Sequence, residues 1–136
     1  MFKTKFVFLI LAAFLLTFSA ACDNSSATAT SKNEIRQVSV QETSEAVKKE
    51  NVQFIDVRTS EEFAGGRATK VAHFPLDSIE NDLGKLDKNK PTYVICATGR
   101  RSQKAAETLQ KAGFTELYNV KGGTSEWISA GLPTEK

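Results

Sequence analysis

The sequence predicts one α/β domain with a central, mainly parallel sheet of five strands and helices on both faces. A chain of 136 residues is long enough for one domain and too short for two ordinary ones. From Val38 onward, short β-branched or aromatic runs alternate with helical segments, which is typical of β-α-β units and a parallel sheet. We therefore expect residues 38–136 to fold as one unit.

Each predicted strand is a short run of residues that favour extended structure. The predicted strands are residues 38–40, 53–56, 71–74, 92–95 and 116–119, and the predicted helices are residues 43–49, 60–64, 78–83, 101–112 and 124–130. The helix over 101–112 is the clearest, because Ala105, Ala106 and Leu109 recur at helical spacing and Gly113 supplies a C-terminal stop. Glycine pairs at 65–66 and 122–123 lack a phosphate-loop pattern, so we interpret them as turn residues with positive φ.

Charge and composition exclude several classes of function. Of the 18 Lys and Arg residues, two (Lys3 and Lys5) belong to a predicted leader, which leaves as many basic as acidic residues, 16 of each. A nucleic-acid surface needs a basic excess, so we expect no nucleic-acid partner. Two cysteines and one histidine cannot build a disulfide framework or a Cys/His zinc site, so we expect no metal and no cofactor.

Residues 1–21 have the order of a secretory signal peptide. Lys3 and Lys5 precede an apolar run over residues 6–16, and small residues lead up to Cys22. The run is well short of the ~20 residues that span a bilayer as a permanent helix. The order of small residues and Cys22 resembles a bacterial lipoprotein signal, which implies lipidation of Cys22. Ordinary cleavage at the same bond is the alternative.

The predicted leader places the mature chain outside the cytoplasm. We expect a periplasmic or cell-envelope protein that is anchored to the membrane through a lipid on Cys22. Residues 22–37 are small and polar, with one large apolar residue, and cannot bury enough surface to offset their own ordering entropy. We therefore interpret residues 22–37 as a flexible tether.

Cys96 closes the fourth predicted strand and is followed by Ala97, Thr98, Gly99, Arg100 and Arg101, after which the helix begins. Ligands bind outside the carboxyl ends of strands in an open parallel sheet. The loop can wrap so that its amides point inward above a helix N-terminus, with Gly99 free to adopt a conformation that a Cβ would block. Amides, helix end and guanidinium groups all favour a nucleophilic thiolate. The alternative is a buried cysteine that acts as a small apolar residue.

Several motifs in consistent order carry a resemblance to a known family. They are Asp56-Val57-Arg58 with Glu61-Glu62-Phe63, Phe74-Pro75-Leu76, the loop C-A-T-G-R-R-S over Cys96 to Ser102, Val120-Lys121-Gly122-Gly123 with Trp127, and Gly131-Leu132-Pro133. Over residues 38–133 the chain resembles a single-domain rhodanese. The resemblance implies a rhodanese-like fold and a thiosulfate sulfurtransferase that moves a sulfane sulfur from a small sulfur-containing anion to cyanide, a thiol or a protein acceptor.

The resemblance also implies roles for individual residues. Cys96 is the nucleophile and persulfide carrier, and the backbone amides of residues 97–101 cradle the sulfur. Arg100 is expected to bind the oxyanion of the donor. Arg101 either meets substrate or braces the loop by pairing with a carboxylate such as Asp56. From its own position, at the end of a predicted strand on the same side as the loop, Arg58 is expected to form an ion pair, with substrate contact as the alternative.

Three other functions are compatible with parts of this pattern. A Cys-based phosphatase or arsenate reductase needs five residues between cysteine and arginine, whereas four separate Cys96 from Arg101. A non-enzymatic persulfide carrier would use the same residues as a sulfurtransferase. A thiol oxidoreductase lacks the second cysteine of a C-x-x-C pair. For His73 and Trp127, packing is favoured over a catalytic or ligand-binding role.

Overall fold

The central sheet has the predicted parallel architecture. A computed structural model describes residues 34–136, and the predicted leader, Cys22 and most of the predicted tether lie outside this range. The strands are β1 (Ile35–Val38), β2 (Gln53–Asp56), β3 (Arg67–Ala68), β4 (Ala72–His73), β5 (Thr92–Ile95), β6 (Leu117–Val120) and β7 (Thr134–Glu135). Five of them form one sheet in the order β1-β6-β5-β2-β4, and every pairing in it is parallel.

Five α-helices connect and cover these strands. They are α1 (Val40–Ala46), α2 (Ser60–Gly65), α3 (Ile79–Asp82), α4 (Arg100–Lys111) and α5 (Gly123–Ser129), and a 3-10 turn over Leu83–Lys85 follows α3. Successive strand residues point to opposite faces, so Phe54 and Ile55 belong to two different apolar clusters. Helices α3 and α4 contribute to the cluster around Ile55, whereas α1 and α5 contribute to the cluster around Phe54. Helices therefore cover both faces of the sheet.

The first strand and helix begin earlier than predicted. The sequence pattern predicts a strand over 38–40 and a helix over 43–49, but β1 starts at Ile35 and α1 starts at Val40. The reason is a capping box: the Ser39 hydroxyl accepts a hydrogen bond from the Glu42 amide at 3.1 Å, and the Glu42 carboxylate accepts one from the Ser39 amide at 2.8 Å. Residues 35–37, which the sequence pattern assigns to the tether, are thus part of the sheet.

A second, smaller sheet is absent from the sequence prediction. Strands β3 and β7 pair antiparallel, with Arg67 opposite Glu135. Each strand has two residues, which is too short for an alternating pattern to be recognised.

Among the helices of residues 34–136, none combines the length and the apolar character that crossing a membrane requires.

Candidate active site

Cys96 directly follows β5 at the carboxyl edge of the sheet, where the sequence places it. The residue is 1% exposed and contributes to the apolar cluster under α4. Gly99 precedes the first residue of α4 and has a φ of +102°, a conformation that residues with a Cβ rarely adopt. This glycine allows the chain to turn from strand to helix within three residues of the cysteine.

The start of α5 holds the peptide groups of the Cys96 loop. The amide of Thr124 donates to the Cys96 carbonyl at 2.8 Å, and the amide of Ser125 donates to the Ala97 carbonyl at 3.1 Å. Gly123 has a φ of +59°, and a Cβ on it would overlap the Cys96 carbonyl oxygen. The sequence predicts a turn at Gly123, and the structure makes this glycine part of the support of the loop as well.

Hydrogen-bond donors converge on the sulfur of Cys96. The Gly99 amide lies 3.1 Å from Sγ, and the Ser102 hydroxyl lies 3.4 Å from it. Burial disfavours the thiolate, but hydrogen bonds from the Ser102 hydroxyl and from the amides of Ser102, Thr98 and Gly99 outweigh it, so the pKa of the Cys96 thiol is lowered. A cysteine that served only as a small apolar residue would not need these donors.

Ser102 and Asn119 form a second layer behind the sulfur that sequence analysis misses. The Ser102 hydroxyl donates to Asn119 Oδ1 at 2.6 Å, and Asn119 Nδ2 donates to the Gly99 carbonyl at 3.2 Å and to Gln37 Oε1 at 2.9 Å. Both Ser102 and Asn119 are buried. The sequence does contain one signal for this layer, the single amide side chain of Asn119 in the buried strand β6. A buried amide requires hydrogen-bond partners, which indicates a polar contact at this position.

Arg101 braces the loop, but its partner is Glu62 rather than Asp56. Its two terminal nitrogens each lie 2.7 Å from a Glu62 carboxylate oxygen, in a bidentate pair. Glu62 also accepts a hydrogen bond from the Thr59 amide at 3.1 Å, which caps α2. The hydrogen bond from Arg101 is the main reason that the pKa of Glu62 falls to about 2. The first turn of α4 is thereby tied to α2.

Asp56 is unavailable to Arg101 because it already pairs with Arg58. Asp56 is fully buried and Arg58 is 6% exposed. Arg58 Nε donates to Asp56 Oδ2 at 2.9 Å, and Nη2 donates to the same oxygen at 2.7 Å and to the Gly66 carbonyl at 2.9 Å. The sequence leaves two alternatives for Arg58, contact with substrate and an ion pair. The structure shows the ion pair.

His73 and Trp127 lie in packed positions. His73 Nε2 is 3.0 Å from the Arg58 carbonyl oxygen, and its ring stacks on Phe63 with centroids 4.3 Å apart. Trp127 is buried and donates its indole N–H to the Pro133 carbonyl at 2.9 Å. The imidazole of His73 and the indole of Trp127 are therefore held by packing and by hydrogen bonds to backbone carbonyls.

An open cationic cleft borders the loop. Thr98, Arg100, Arg101 and Lys104 line a space of about 390 Å³. Arg100 is exposed, and neither Arg100 nor Lys104 takes part in an ion pair with another residue of the range 34–136. The arrangement can attract an anion to the side of the loop that carries Arg100.

Comparison with known proteins relates this geometry to one family. A family model described as "Rhodanese-like domain" matches residues 39–130. The chain is 33% identical over 95 residues to "Thiosulfate sulfurtransferase GlpE" of Pseudomonas putida, an alignment that covers 70% of this chain and 86% of that protein. It is 38% identical over 78 residues to "Putative sulfur carrier protein YrkF" of Bacillus subtilis, which covers 57% of this chain.

Coverage differs among these matches. The chain spans 42% of the length of YrkF and 60% of the length of another Bacillus subtilis relative, YqhL. The crystal structure of a "Rhodanese-like Domain Protein from Staphylococcus aureus" matches with a TM-score of 0.64 at 34% identity, over 68% of this chain and 91% of that chain. The family match covers more than half of the chain, and the fold and the cysteine loop agree with it. This chain belongs to the rhodanese-like domain family.

Proposed function

We propose that this protein is a sulfurtransferase of the thiosulfate sulfurtransferase type, with Cys96 as its sulfur carrier. The single observation that carries the proposal is the hydrogen bond of 3.1 Å from the Gly99 amide to Cys96 Sγ, made by a loop that ends at a helix N-terminus. This bond and the Ser102 contact lower the pKa of the thiol, which favours the nucleophilic thiolate.

The reaction has two transfers of one sulfur atom. The Cys96 thiolate attacks the outer sulfur of thiosulfate, a new S–S bond forms, and the donor's S–S bond breaks to release sulfite. An acceptor thiolate or cyanide then attacks the outer sulfur of the persulfide and restores the Cys96 thiolate. Each step exchanges one bond to sulfur for another, so no outside oxidant or reductant is consumed.

The residues around Cys96 divide the remaining work. The amides that lower the pKa of the thiol also suit the negative charge of a persulfide in the same place. Arg100, which is exposed at the entrance, is assigned to the sulfonate group of the donor. Arg101 is neutralised by Glu62, and its proposed role is to position the loop rather than to bind substrate.

Intact mass before and after incubation with thiosulfate tests the proposal. The wild type should gain the mass of one sulfur atom with release of sulfite, and Cys96→Ser should gain nothing. A phosphate ester serves as the parallel substrate, because a Cys-based phosphatase is the enzymatic rival. Phosphate release without any persulfide would contradict the proposal.

A persulfide carrier that serves a protein acceptor is the second candidate. It is favoured by the similarity to YrkF, whose name describes a sulfur carrier. Turnover separates the two: an enzyme releases many equivalents of sulfite with a small thiol or cyanide present, whereas a carrier stops after one equivalent per chain. Stoichiometric sulfite release together with a stable persulfide would favour the carrier.

We also propose that the protein is exported and anchored in the cell envelope through a lipid on Cys22. The proposal rests on the order of charged, apolar and small residues in positions 1–21, which lie outside the described residues. The intact mass of protein isolated from membranes would include the lipid in the wild type. An unlipidated chain that begins at Cys22 would instead indicate ordinary signal cleavage.

A further inference from the structure

The first turns of α4 carry an unusual concentration of positive charge. Arg100 and Arg101 are its first two residues, Lys104 follows one turn later, and the first turn contains no acidic residue. The N-terminus of a helix is already positive and prefers acidic side chains. Like charges at positions i and i+4, such as Arg100 and Lys104, also repel one another. This arrangement therefore costs stability.

Two of the three cations form no ion pair in the described part of the chain. Arg101 pairs with Glu62, but Arg100 and Lys104 form no ion pair within residues 34–136. Glu107, three residues after Lys104, accepts a hydrogen bond from Gln103 at 3.0 Å. A helix start that carries basic residues in place of the preferred acidic ones, without ion pairs for two of them, is typical of a functional site.

Arg100 and Lys104 line the same cleft, and the cleft is larger than a small inorganic donor needs. Its volume of about 390 Å³ has room for about a dozen water molecules at roughly 30 Å³ each. The five heavy atoms of thiosulfate would fill only part of it. Four residues of helix advance about 6 Å along the axis, so the two positions are well placed for two separate anionic groups.

We propose that Lys104 is a specificity-determining residue that selects sulfur acceptors bearing carboxylates, foremost thiols that carry two of them. This inference rests on the proposed sulfurtransferase function and adds the class of acceptor. One carboxylate binds Arg100 and the other binds Lys104, while the acceptor sulfur reaches the Cys96 persulfide. The acceptor thiolate attacks the outer sulfur, the S–S bond to Cys96 breaks, and the products are an acceptor persulfide and the Cys96 thiolate.

Transfer from the preloaded protein to matched small thiols tests this role. The full chain is loaded with thiosulfate, freed of donor and sulfite, and mixed with mercaptosuccinate, which has two carboxylates, or with neutral 2-mercaptoethanol. Loss of the persulfide is followed by intact mass. Comparing variant with wild type for the same thiol removes the intrinsic reactivity of that thiol from the comparison.

Lys104→Gln should slow transfer to mercaptosuccinate about fivefold more than transfer to 2-mercaptoethanol, as expected for one exposed charge contact. Lys104→Glu should widen this difference and favour cysteamine, a cationic thiol, relative to the wild type. Lys111→Gln, at the far end of the same helix, is the matched control and should leave all three rates unchanged. Thermal unfolding of each variant verifies that it is folded.

The possible failures can be told apart. A wild type that gains no sulfur from thiosulfate would overturn both the proposed function and this inference. A persulfide that forms normally, but whose loss to the three thiols is slowed equally or not at all by the Lys104 substitutions, would overturn this inference alone.

Discussion

Gly123 lies directly against the backbone of Cys96, and its lack of a side chain lets α5 begin where the cysteine loop turns. A Cβ on Gly123 would overlap the Cys96 carbonyl oxygen and lie 2.5 Å from the carbonyl carbon of Ala97. Gly123→Ala should therefore displace the loop, lower the free energy of unfolding and slow persulfide formation. Urea unfolding and the rate of sulfite release measure the two effects.

Gly131→Ala is the matched control for this substitution. Gly131 has a similar φ of +68°, but nothing lies within 4 Å of its would-be Cβ. It should cost only the backbone strain of a left-handed residue, about 1–2 kcal/mol, and leave persulfide formation intact. Equal losses of stability and activity in the two variants would contradict a specific contact between Gly123 and the loop.

Ser102→Ala should raise the pKa of Cys96. The hydroxyl lies 3.4 Å from Sγ and shares its one hydrogen with Asn119 Oδ1, so its loss removes a donor from the thiolate while the amides of the loop remain. The ultraviolet absorbance of the thiolate should titrate at higher pH in this variant. Ser129→Ala removes an exposed hydroxyl and is the control. Identical titrations of Ser102→Ala and the wild type would show that the Ser102 hydroxyl does not stabilise the Cys96 thiolate.

The loop could be predicted from sequence because its parts are adjacent in the chain. Cys96 ends an apolar strand, and Gly99 and a clear helix follow at once, so local rules suffice. The second layer could not be predicted in this way, since Ser102 and Asn119 are 17 residues apart on different elements. The same limit applies to the partner of Arg101, because Glu62 is 39 residues distant and Asp56 was an equally acidic choice.

Asp56→Asn should destabilise the protein by about 3 kcal/mol or more, because it leaves the buried charge of Arg58 without its counter-charge. Adding Arg58→Met removes that charge and should recover much of the loss. Urea unfolding of Asp56→Asn, Arg58→Met and the double variant measures these changes. If the destabilisation of the double variant equals the sum for the two single variants, the loss of stability does not come from the unpaired charge of Arg58.

Glu62→Gln should reveal the ion pair with Arg101 through its dependence on pH. Glutamine keeps the capping acceptor of α2 but loses the charge. The pKa of Glu62 falls from 4.5 to about 2 on folding, so its stabilisation is complete above pH 4.5 and is lost as the pH falls toward 2.

The difference in unfolding free energy between wild type and Glu62→Gln should therefore be constant at neutral pH and shrink below about pH 4.5. It should also decrease with added salt, because both side chains are 36% exposed. If this difference in unfolding free energy stayed the same from about pH 7 to about pH 3, the charge of Glu62 would not contribute to stability.

The most direct test of the central claim is titration of the Cys96 thiol in the folded protein, read as thiolate absorbance of the wild type minus that of Cys96→Ser. The subtraction removes Cys22 and the tyrosines. Because the Ser102 hydroxyl and the loop amides stabilise the thiolate, the pKa of Cys96 should lie below the ordinary cysteine value. A Cys96 thiol that titrates at or above that value would contradict the account and leave a buried, unreactive residue.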